Sequence, residues 1–281
     1  MGRDIGSREF PQLERTPTEP LKRDAEREPI SRERQPHTGR GFVYSLSAAE
    51  IKTMTEIGRF RTIDERDLKE YRYRKSAEEM RDDLRSLQNQ GLVRKHTVWT
   101  GNRGDHLTVF VLTKRGKAFL ERDAQPDQKI FAGFVKPAEV HHDAAIYRMY
   151  QAEAAKIERF GGRVKRTVLD YELKQKVYKP LAKIRSKASP GSPEYSHSQA
   201  EIAAANQLKV IGGKILLPDL RIEFETATGE HSHVDLELAT RHYRPSSLSA
   251  KAQAGFKTYA SQTSGRTAPF DPEHISEIFS L

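Results

Sequence analysis

The sequence contains no cysteine and no long apolar run in its 281 residues. The absence of cysteine excludes disulfides, thiolate nucleophiles and cysteine-based zinc sites, and it fits a reducing compartment. A membrane span needs about 18 consecutive apolar residues, so none is expected. The first residues, MGRDIGSREF, have no apolar core and do not have the pattern of a signal peptide. We therefore expect a cytoplasmic protein.

Hydrophobic residues are also scarce, at 36% of the chain, so part of it is expected to remain unpacked. Residues 1–40 are the clearest case, since they mix Arg, Glu, Asp and Pro with few large apolar side chains. Nine Lys and Arg face eight Asp and Glu there, which does not describe a basic DNA-binding arm. We predict a disordered leader whose removal leaves the melting temperature nearly unchanged.

Residues 41–123 show three helical patterns followed by two extended segments. Ser47 with Glu50, and Ser76 with Glu79, have the spacing of capping boxes at the starts of the first and third helices. The extended segments flank the glycine-rich turn TGNRGD, and a short helix follows them. This order of elements predicts a winged helix-turn-helix.

Basic residues occur on the two parts of a winged helix that contact duplex DNA, the third helix and the wing, and they are concentrated in the wing segment. The whole chain carries 48 Lys and Arg against 39 Asp and Glu, which favours a polyanionic partner. Residues 92–117 hold six Lys and Arg against one acid, Asp105. The predicted DNA-binding residues are Lys75, Arg81 and Arg85 on the third helix and Arg94, Lys95, Arg103, Lys114, Arg115 and Lys117 in the wing segment.

The third helix also carries acids that would repel phosphate: Glu78, Glu79, Asp82 and Asp83. A winged helix that contacts protein rather than DNA is therefore the alternative. A transcriptional regulator whose second half only dimerises is a further alternative.

The stretch LLPDLRIEFETATGEHSHVDLELATRHYR, residues 216–244, alternates apolar and polar side chains on both sides of a turn, which predicts a β-hairpin. Asp219, Asp235 and Glu237 fall on its polar face. This face is either solvated and salt-bridged, through Arg221 or Arg241, or it is a metal site. His231 and His233 share the face and are weighed as ligands for Zn²⁺ or Mn²⁺.

The order helix, strand, two further strands and helix after residue 141, with an acid directly after Pro218, resembles the PD-(D/E)xK nuclease core. The resemblance implies catalytic acids at Asp219, Asp235 and Glu237 that bind Mg²⁺ or Mn²⁺. The strand lysine of that core is missing, and Lys251 is expected to replace it, with Lys257 as the alternative. Glu172 or Glu153 is the expected source of an additional acid. An active endonuclease is thus an alternative function.

The combination of both parts resembles the replication-relaxation family of bacterial plasmids and mobile elements. The likeness rests on YSLSAAEIKTMTEIGRFRTIDERDL, LRSLQNQGLVRK, FVLTKRGKAFL, the His142-Asp143 helix start, LDYELK, LPDLRIEF and HVDLELATRHYR. It implies a DNA-binding protein that acts in plasmid replication, relaxation or transfer. Duplex DNA is the expected partner, and a second copy of the chain or replication and transfer proteins are further candidates.

The predicted fold class is therefore α+β, with a winged helix-turn-helix before an α/β nuclease-like domain. Two local expectations matter below. LSAKAQAGFKTYA, residues 248–260, is predicted as one helix, which leaves the sheet without a fourth strand, and SKASPGSPEYSHS, residues 186–198, as a loop. The predicted divisions are a leader at 1–40, the winged helix at 41–123, a linker at 124–140, the nuclease-like domain at 141–263 and a tail at 264–281.

Overall fold

The computed structural model describes residues 30–39, 41–99, 106–122, 127–134, 136–239, 243–260 and 278–280. Its first half contains four helices and five strands in these parts of the chain. They are β1 (Gln35–Gly39), β2 (Phe42–Leu46), α1 (Ala48–Phe60), β3 (Ile63–Asp64), α2 (Glu65–Asp67, continued by a π-helical turn at Leu68–Arg72), α3 (Ala77–Asn89), β4 (Val93–Trp99), β5 (His106–Leu112) and α4 (Lys114–Leu120).

Elements α1 to β5 form a winged helix-turn-helix, as predicted. Strands β3, β5 and β4 make one sheet in that order, and β4 and β5 are the antiparallel strands of the wing. The capping box of α1 is confirmed, because Ser47 accepts from the Glu50 backbone N–H and the Glu50 carboxylate accepts from that of Ser47. The prediction was wrong at α3, where the Ser76 side chain makes no capping hydrogen bond.

The boundary predicted for the leader was wrong, because residues 30–39 belong to the folded structure. Strand β1 pairs antiparallel with β2. Arg34 donates to the fully buried Glu50 carboxylate at 3.0 Å, and Arg32 reaches the buried Asp83 at 2.7 Å. Deletion through residue 38 would remove both of these charge partners, so we no longer expect it to be neutral. Residues 1–29 lie outside the described residues.

The second half contains a sheet of five strands with helices beside it. Its elements are α5 (Pro137–Arg159), β6 (Arg163–Leu169), α6 (Asp170–Arg185), α7 (Pro193–Ala205), β7 (Val210–Ile211), β8 (Lys214–Ile215), β9 (Leu220–Glu225), β10 (His231–Ala239), α8 (Pro245–Ala254), β11 (Lys257–Ala260) and β12 (Ile278–Ser280). The strand order is β12-β11-β10-β9-β6. The predicted hairpin is confirmed as β9 and β10, which pair antiparallel.

Two local predictions in this half were wrong. Helix α8 ends at Gly255, which has the left-handed φ of 90° typical of a glycine that follows a helix, and residues 257–260 form β11 parallel to β10. Strand β11 therefore supplies the fourth strand that was not predicted from the sequence. Helix α7 also begins inside the predicted loop, because Ser192 caps it and Pro193 occupies its first turn.

The predicted linker at 124–140 packs in part against the core, and only its C-terminal boundary was wrong. Ile130 is 2% exposed in the core, and the Phe131 backbone N–H donates to the Gly58 carbonyl at 2.7 Å. Helix α5 begins within the predicted linker, at Pro137, and its Tyr147 ring contacts that of Phe60 on α1, with 5.1 Å between ring centroids. One hydrophobic core thus runs through both halves.

No helix among the described residues is both long enough and apolar enough to cross a membrane.

Candidate nucleic-acid interface and carboxylate cleft

Helix α3 presents two of the predicted DNA-binding residues on its exposed face. Arg81 and Arg85 lie one turn apart and are exposed, and Asp82 is 3.8 Å from Arg85. Lys75 lies just before the helix, 3.4 Å from Glu70. Asp83, which was predicted to repel phosphate, is only 2% exposed and faces the core side of α3. There it accepts a hydrogen bond from the Tyr73 hydroxyl in addition to that from Arg32. The exposed face is thus less acidic than the sequence suggested.

The predicted wing cations divide into two groups. Arg94 and Lys95 are exposed on β4, with Lys95 at 3.9 Å from Glu65 on α2. Arg103 lies outside the described residues. The remaining three cations are not on the wing, because α4 carries them. These are Lys114, which is exposed, Arg115, whose guanidinium lies 4.3 Å from the Phe42 ring centroid, and Lys117, which pairs with Glu121 at 3.4 Å.

The sequence reading missed Trp99 at the outer end of β4. This is the only tryptophan in the chain, and it is 71% exposed. Tryptophan is enriched at binding surfaces because it combines a large apolar ring with an N–H donor, so Trp99 is a candidate contact residue. Its exposure could not be read from the alternation of the strand, but its position next to a glycine-rich turn was a usable signal.

The second site is a cleft in which Asp219, Glu237 and Lys251 come together. Asp219 precedes β9, Glu237 lies opposite it on β10, and Lys251 comes from α8. The Lys251 ammonium donates to Glu237 Oε2 at 2.8 Å and to the Leu217 carbonyl at 2.5 Å. Tyr243, just before α8, donates its hydroxyl to Glu237 Oε1. The structure thus places the expected substitute lysine directly beside the acidic pair.

The pKa values of Asp219 and Glu237 are shifted in opposite directions. Burial raises the pKa of Glu237 above its ordinary value, and the negative charge of Asp219 raises it further. Burial also opposes ionisation of Asp219, but His142, whose Nε2 lies 3.4 Å from Asp219 Oδ1, and the Leu238 backbone N–H outweigh it and lower its pKa. His142, in the first turns of α5, is therefore a neighbour of the carboxylate pair.

Asp235 does not belong to this pair, so its prediction as a metal ligand was wrong. Arg221 lies opposite it in the β9–β10 register and binds both carboxylate oxygens, at 2.7 and 2.8 Å. Arg221 also donates to the carbonyls of Asn206 and Gln207. Arg221 and Asp235 are 4% and 8% exposed, so this part of the face is salt-bridged through Arg221, as the alternative predicted, but it is buried rather than solvated.

The other acids and histidines considered for the site are engaged elsewhere. Glu172 pairs with Arg166 and Lys176, whereas Glu153 binds Lys257 at 2.8 Å, which also removes Lys257 as the substitute lysine. Across the described ranges, no group of three or more His, Asp or Glu is arranged to hold a metal ion. His231 and His233 thus form no such group. Asp219 and Glu237 fit a metal such as Mg²⁺ only if water and substrate supply its other ligands.

The cleft itself has a volume of about 670 Å³ and lies between the sheet and the α6–α7 segment. Cations and acids both line it. The cations are Lys174, Arg185, Lys214 and Lys251, and the acids are Asp170, Asp219 and Glu237.

No protein-family model matches the sequence, and no characterised protein matches it. Among solved structures, the chain is similar to the crystal structure of Bacillus subtilis PadR in complex with operator DNA, with 15% sequence identity over 56% of this chain and 91% of that chain. The TM-score is 0.22, which is too low to support an argument about fold or function. The likeness to the replication-relaxation family thus stays a prediction from sequence motifs.

Proposed function

We propose that the protein binds duplex DNA through its winged helix. The observation that supports this most directly is the exposure of Arg81 and Arg85 on α3 of a winged-helix topology, with Arg94 and Lys95 exposed on the wing. In such folds this helix enters the major groove, where arginine side chains bind guanine edges or phosphates. Trp99 adds an apolar contact at the end of the wing.

A role in the replication, relaxation or transfer of a mobile element is the finer proposal. It is supported by the sequence motifs shared with the replication-relaxation family. A second copy of the chain and replication or transfer proteins stay predicted partners.

Replacing both Arg81 and Arg85 with alanine is expected to weaken duplex binding and to flatten its salt dependence. Each lost phosphate contact lowers the slope of log K against log salt by about 0.9, so two contacts lower it by about 1.8. Fluorescence anisotropy of a labelled duplex between about 50 and 200 mM salt measures the slope. Over this interval a protein with about six to ten phosphate contacts loses about 10³–10⁵-fold in affinity, so the change is easily measured.

The matched control for this experiment is Lys179→Ala with Lys183→Ala. These two exposed cations also lie one turn apart on a helix, α6, but far from α3 in the chain. Equal slopes for wild type and the Arg81/Arg85 variant would contradict duplex binding by α3.

We propose a second function for the cleft, the cleavage of phosphodiesters with a divalent metal. The specific observation that supports it is the convergence of Asp219, Glu237 and Lys251. The order α5-β6-β9-β10-α8-β11 also supports the likeness to the PD-(D/E)xK core, now with its fourth strand. Asp219 and Glu237 would hold the metal, which lowers the pKa of a bound water and stabilises charge on the phosphate.

Addition of Mn²⁺ is expected to raise the melting temperature of the wild type, and Asp219→Asn is expected to abolish the increase. A ligand that binds only the folded state stabilises it by mass action, at about 2.7 kcal/mol when present at 100 times its dissociation constant. Glu223→Gln, on the same face of β9, is the control and keeps the response to metal. Nicking of supercoiled plasmid in Mg²⁺, compared with EDTA, tests cleavage. A wild-type melting curve insensitive to Mn²⁺ and Mg²⁺ would refute the metal site.

A further inference from the structure

The wall of the cleft opposite the sheet is one stripe of helix α6. Asp170, Lys174, Tyr178, Leu181 and Arg185 follow each other at intervals of three or four residues, so they share one face of the helix, and all five line the cleft. At about 1.5 Å per residue the stripe is roughly 22 Å long. It runs past the floor of the cleft, where the carboxylate pair lies.

Tyr178 is the aromatic residue of this stripe and is 52% exposed. Lys174 precedes it by one turn, and Arg185 follows it by two turns on the same face. Lys214, on the short strand β8, adds an exposed cation at the rim of the cleft. Exposed aromatic rings between cations are the arrangement with which proteins bind single-stranded nucleic acid, since bases stack on the ring and phosphates contact the cations.

The α6 stripe is supported from behind by its own hydrophobic cluster, which fixes its position relative to α7 and β8. Val177 and Leu181 of α6 pack in this cluster and are 0% and 5% exposed. The other members are Tyr195, Ala203, Leu208 and Ile215. The cluster holds the helix backbone, so Tyr178 is presented from a fixed position beside the cleft although its own ring is exposed.

The size of the cleft decides which form of nucleic acid it accepts. A volume of about 670 Å³ falls in the range of small-ligand pockets, about 300–1,000 Å³. That space holds one or two nucleotides of a strand. A duplex, whose major groove alone is about 12 Å wide, is too large for it.

We infer that the cleft binds a single-stranded segment of nucleic acid, with a base stacked on Tyr178 and its phosphates on Lys174, Arg185 and Lys214. The strand then passes over Asp219 and Glu237. This inference rests on the proposal that the cleft acts on phosphodiesters, and it is independent of duplex binding by the winged helix.

The test measures the affinity for a fluorescent 12-residue oligothymidine in EDTA, so that no cleavage takes place. The full-length Arg81→Ala/Arg85→Ala protein is the background, because it lacks the two α3 arginines proposed to bind DNA, and the wing is the same in every variant compared. In this background Tyr178→Ala is expected to lower the affinity about tenfold. Tyr178→Phe keeps the ring and is expected to restore it. Lys214→Ala is expected to lower the salt slope by about 0.7.

Phe160→Ala is the matched control, since Phe160 is an aromatic residue that is 79% exposed at the end of α5, outside the cleft. Melting curves show that each variant is folded. Oligothymidine affinity that is unchanged in Tyr178→Ala, or reduced equally in Phe160→Ala, would overturn the inference. The other two proposals are tested separately. Duplex binding by the wild type would still support the winged-helix proposal, and an increase in melting temperature with Mn²⁺ would still support the metal site.

Discussion

Arg221→Met is expected to lower the free energy of unfolding by about 3–5 kcal/mol, because it leaves the Asp235 carboxylate buried without its partner. The Arg221 guanidinium holds both oxygens of Asp235 and two backbone carbonyls, and both side chains of the pair are almost fully buried. Methionine fills a similar volume but donates no hydrogen bond. Urea unfolding followed by circular dichroism measures the loss.

A double variant tests whether the Arg221–Asp235 pair has a structural role or is part of the metal site. Arg221→Met with Asp235→Leu removes both charges, so it is expected to recover a large part of the loss, and the two unpaired carbonyls account for the remainder. It is also expected to keep the manganese response of the wild type, since Asp219 and Glu237 are untouched. Two results would contradict a purely structural role for Asp235. One is a double variant that is no more stable than Arg221→Met, and the other is a double variant whose melting temperature no longer rises with Mn²⁺.

Local patterns were sufficient to predict most of the fold. The alternation of Leu220, Ile222 and Phe224 predicted β9 because side chains on one face of a strand recur with a period of two. Ser47 and Glu50 predicted the start of α1 because their capping bonds are local. The winged helix followed from the order of its elements, each of which has a local signal.

Predictions failed where a pattern was ambiguous or the partner was distant in the chain. Residues 257–260 look helical beside α8, and only Gly255 indicates that the helix ends before them. In the sequence Arg34 belongs to a polar stretch and has no visible partner. Only the folded structure brings it next to Glu50, so the sequence could not predict this ion pair. In the cleft, alternation placed Asp235 on the same face as Glu237, but only the β9–β10 register shows that Arg221 neutralises it.

The winged helix and the cleft are connected through helix α5, which carries His142, the neighbour of Asp219. Asp143, the next residue, pairs with Arg61 at 3.1 Å, and the Arg61 guanidinium lies 3.7 Å from the centroid of the Tyr171 ring. Burial raises the pKa of Asp143 to about 6. Buried charges therefore join the two halves in addition to the shared hydrophobic core, and the raised pKa of Asp143 predicts that the stability of this joint depends on pH.

Asp67 is the most strongly shifted acid of the joint between the winged helix and α5. It lies on α2, and Arg148 of α5 approaches its Oδ2 to 3.3 Å, but the geometry is too poor for a hydrogen bond, so that oxygen is buried without a donor. Burial raises the pKa of Asp67 from 3.8 to about 7, and Arg148 only partly opposes this. Between about pH 4 and 7 the folded state thus keeps a proton that the unfolded state has already released.

Asp67→Asn is therefore expected to stabilise the protein at pH 8, by about 2–4 kcal/mol, and to have little effect at pH 4. The sign follows from the raised pKa, since the unfolded state ionises at about pH 4 and the folded state only at about pH 7, so the wild type loses stability between these values and gains none back above pH 7. Asp82→Asn, an exposed aspartate on α3, is the control and changes stability little at either pH. Urea unfolding of all three proteins at pH 4, 6 and 8 gives the comparison. If the difference between Asp67→Asn and wild type stayed constant across this range, Asp67 would not be the group that makes the joint pH-sensitive.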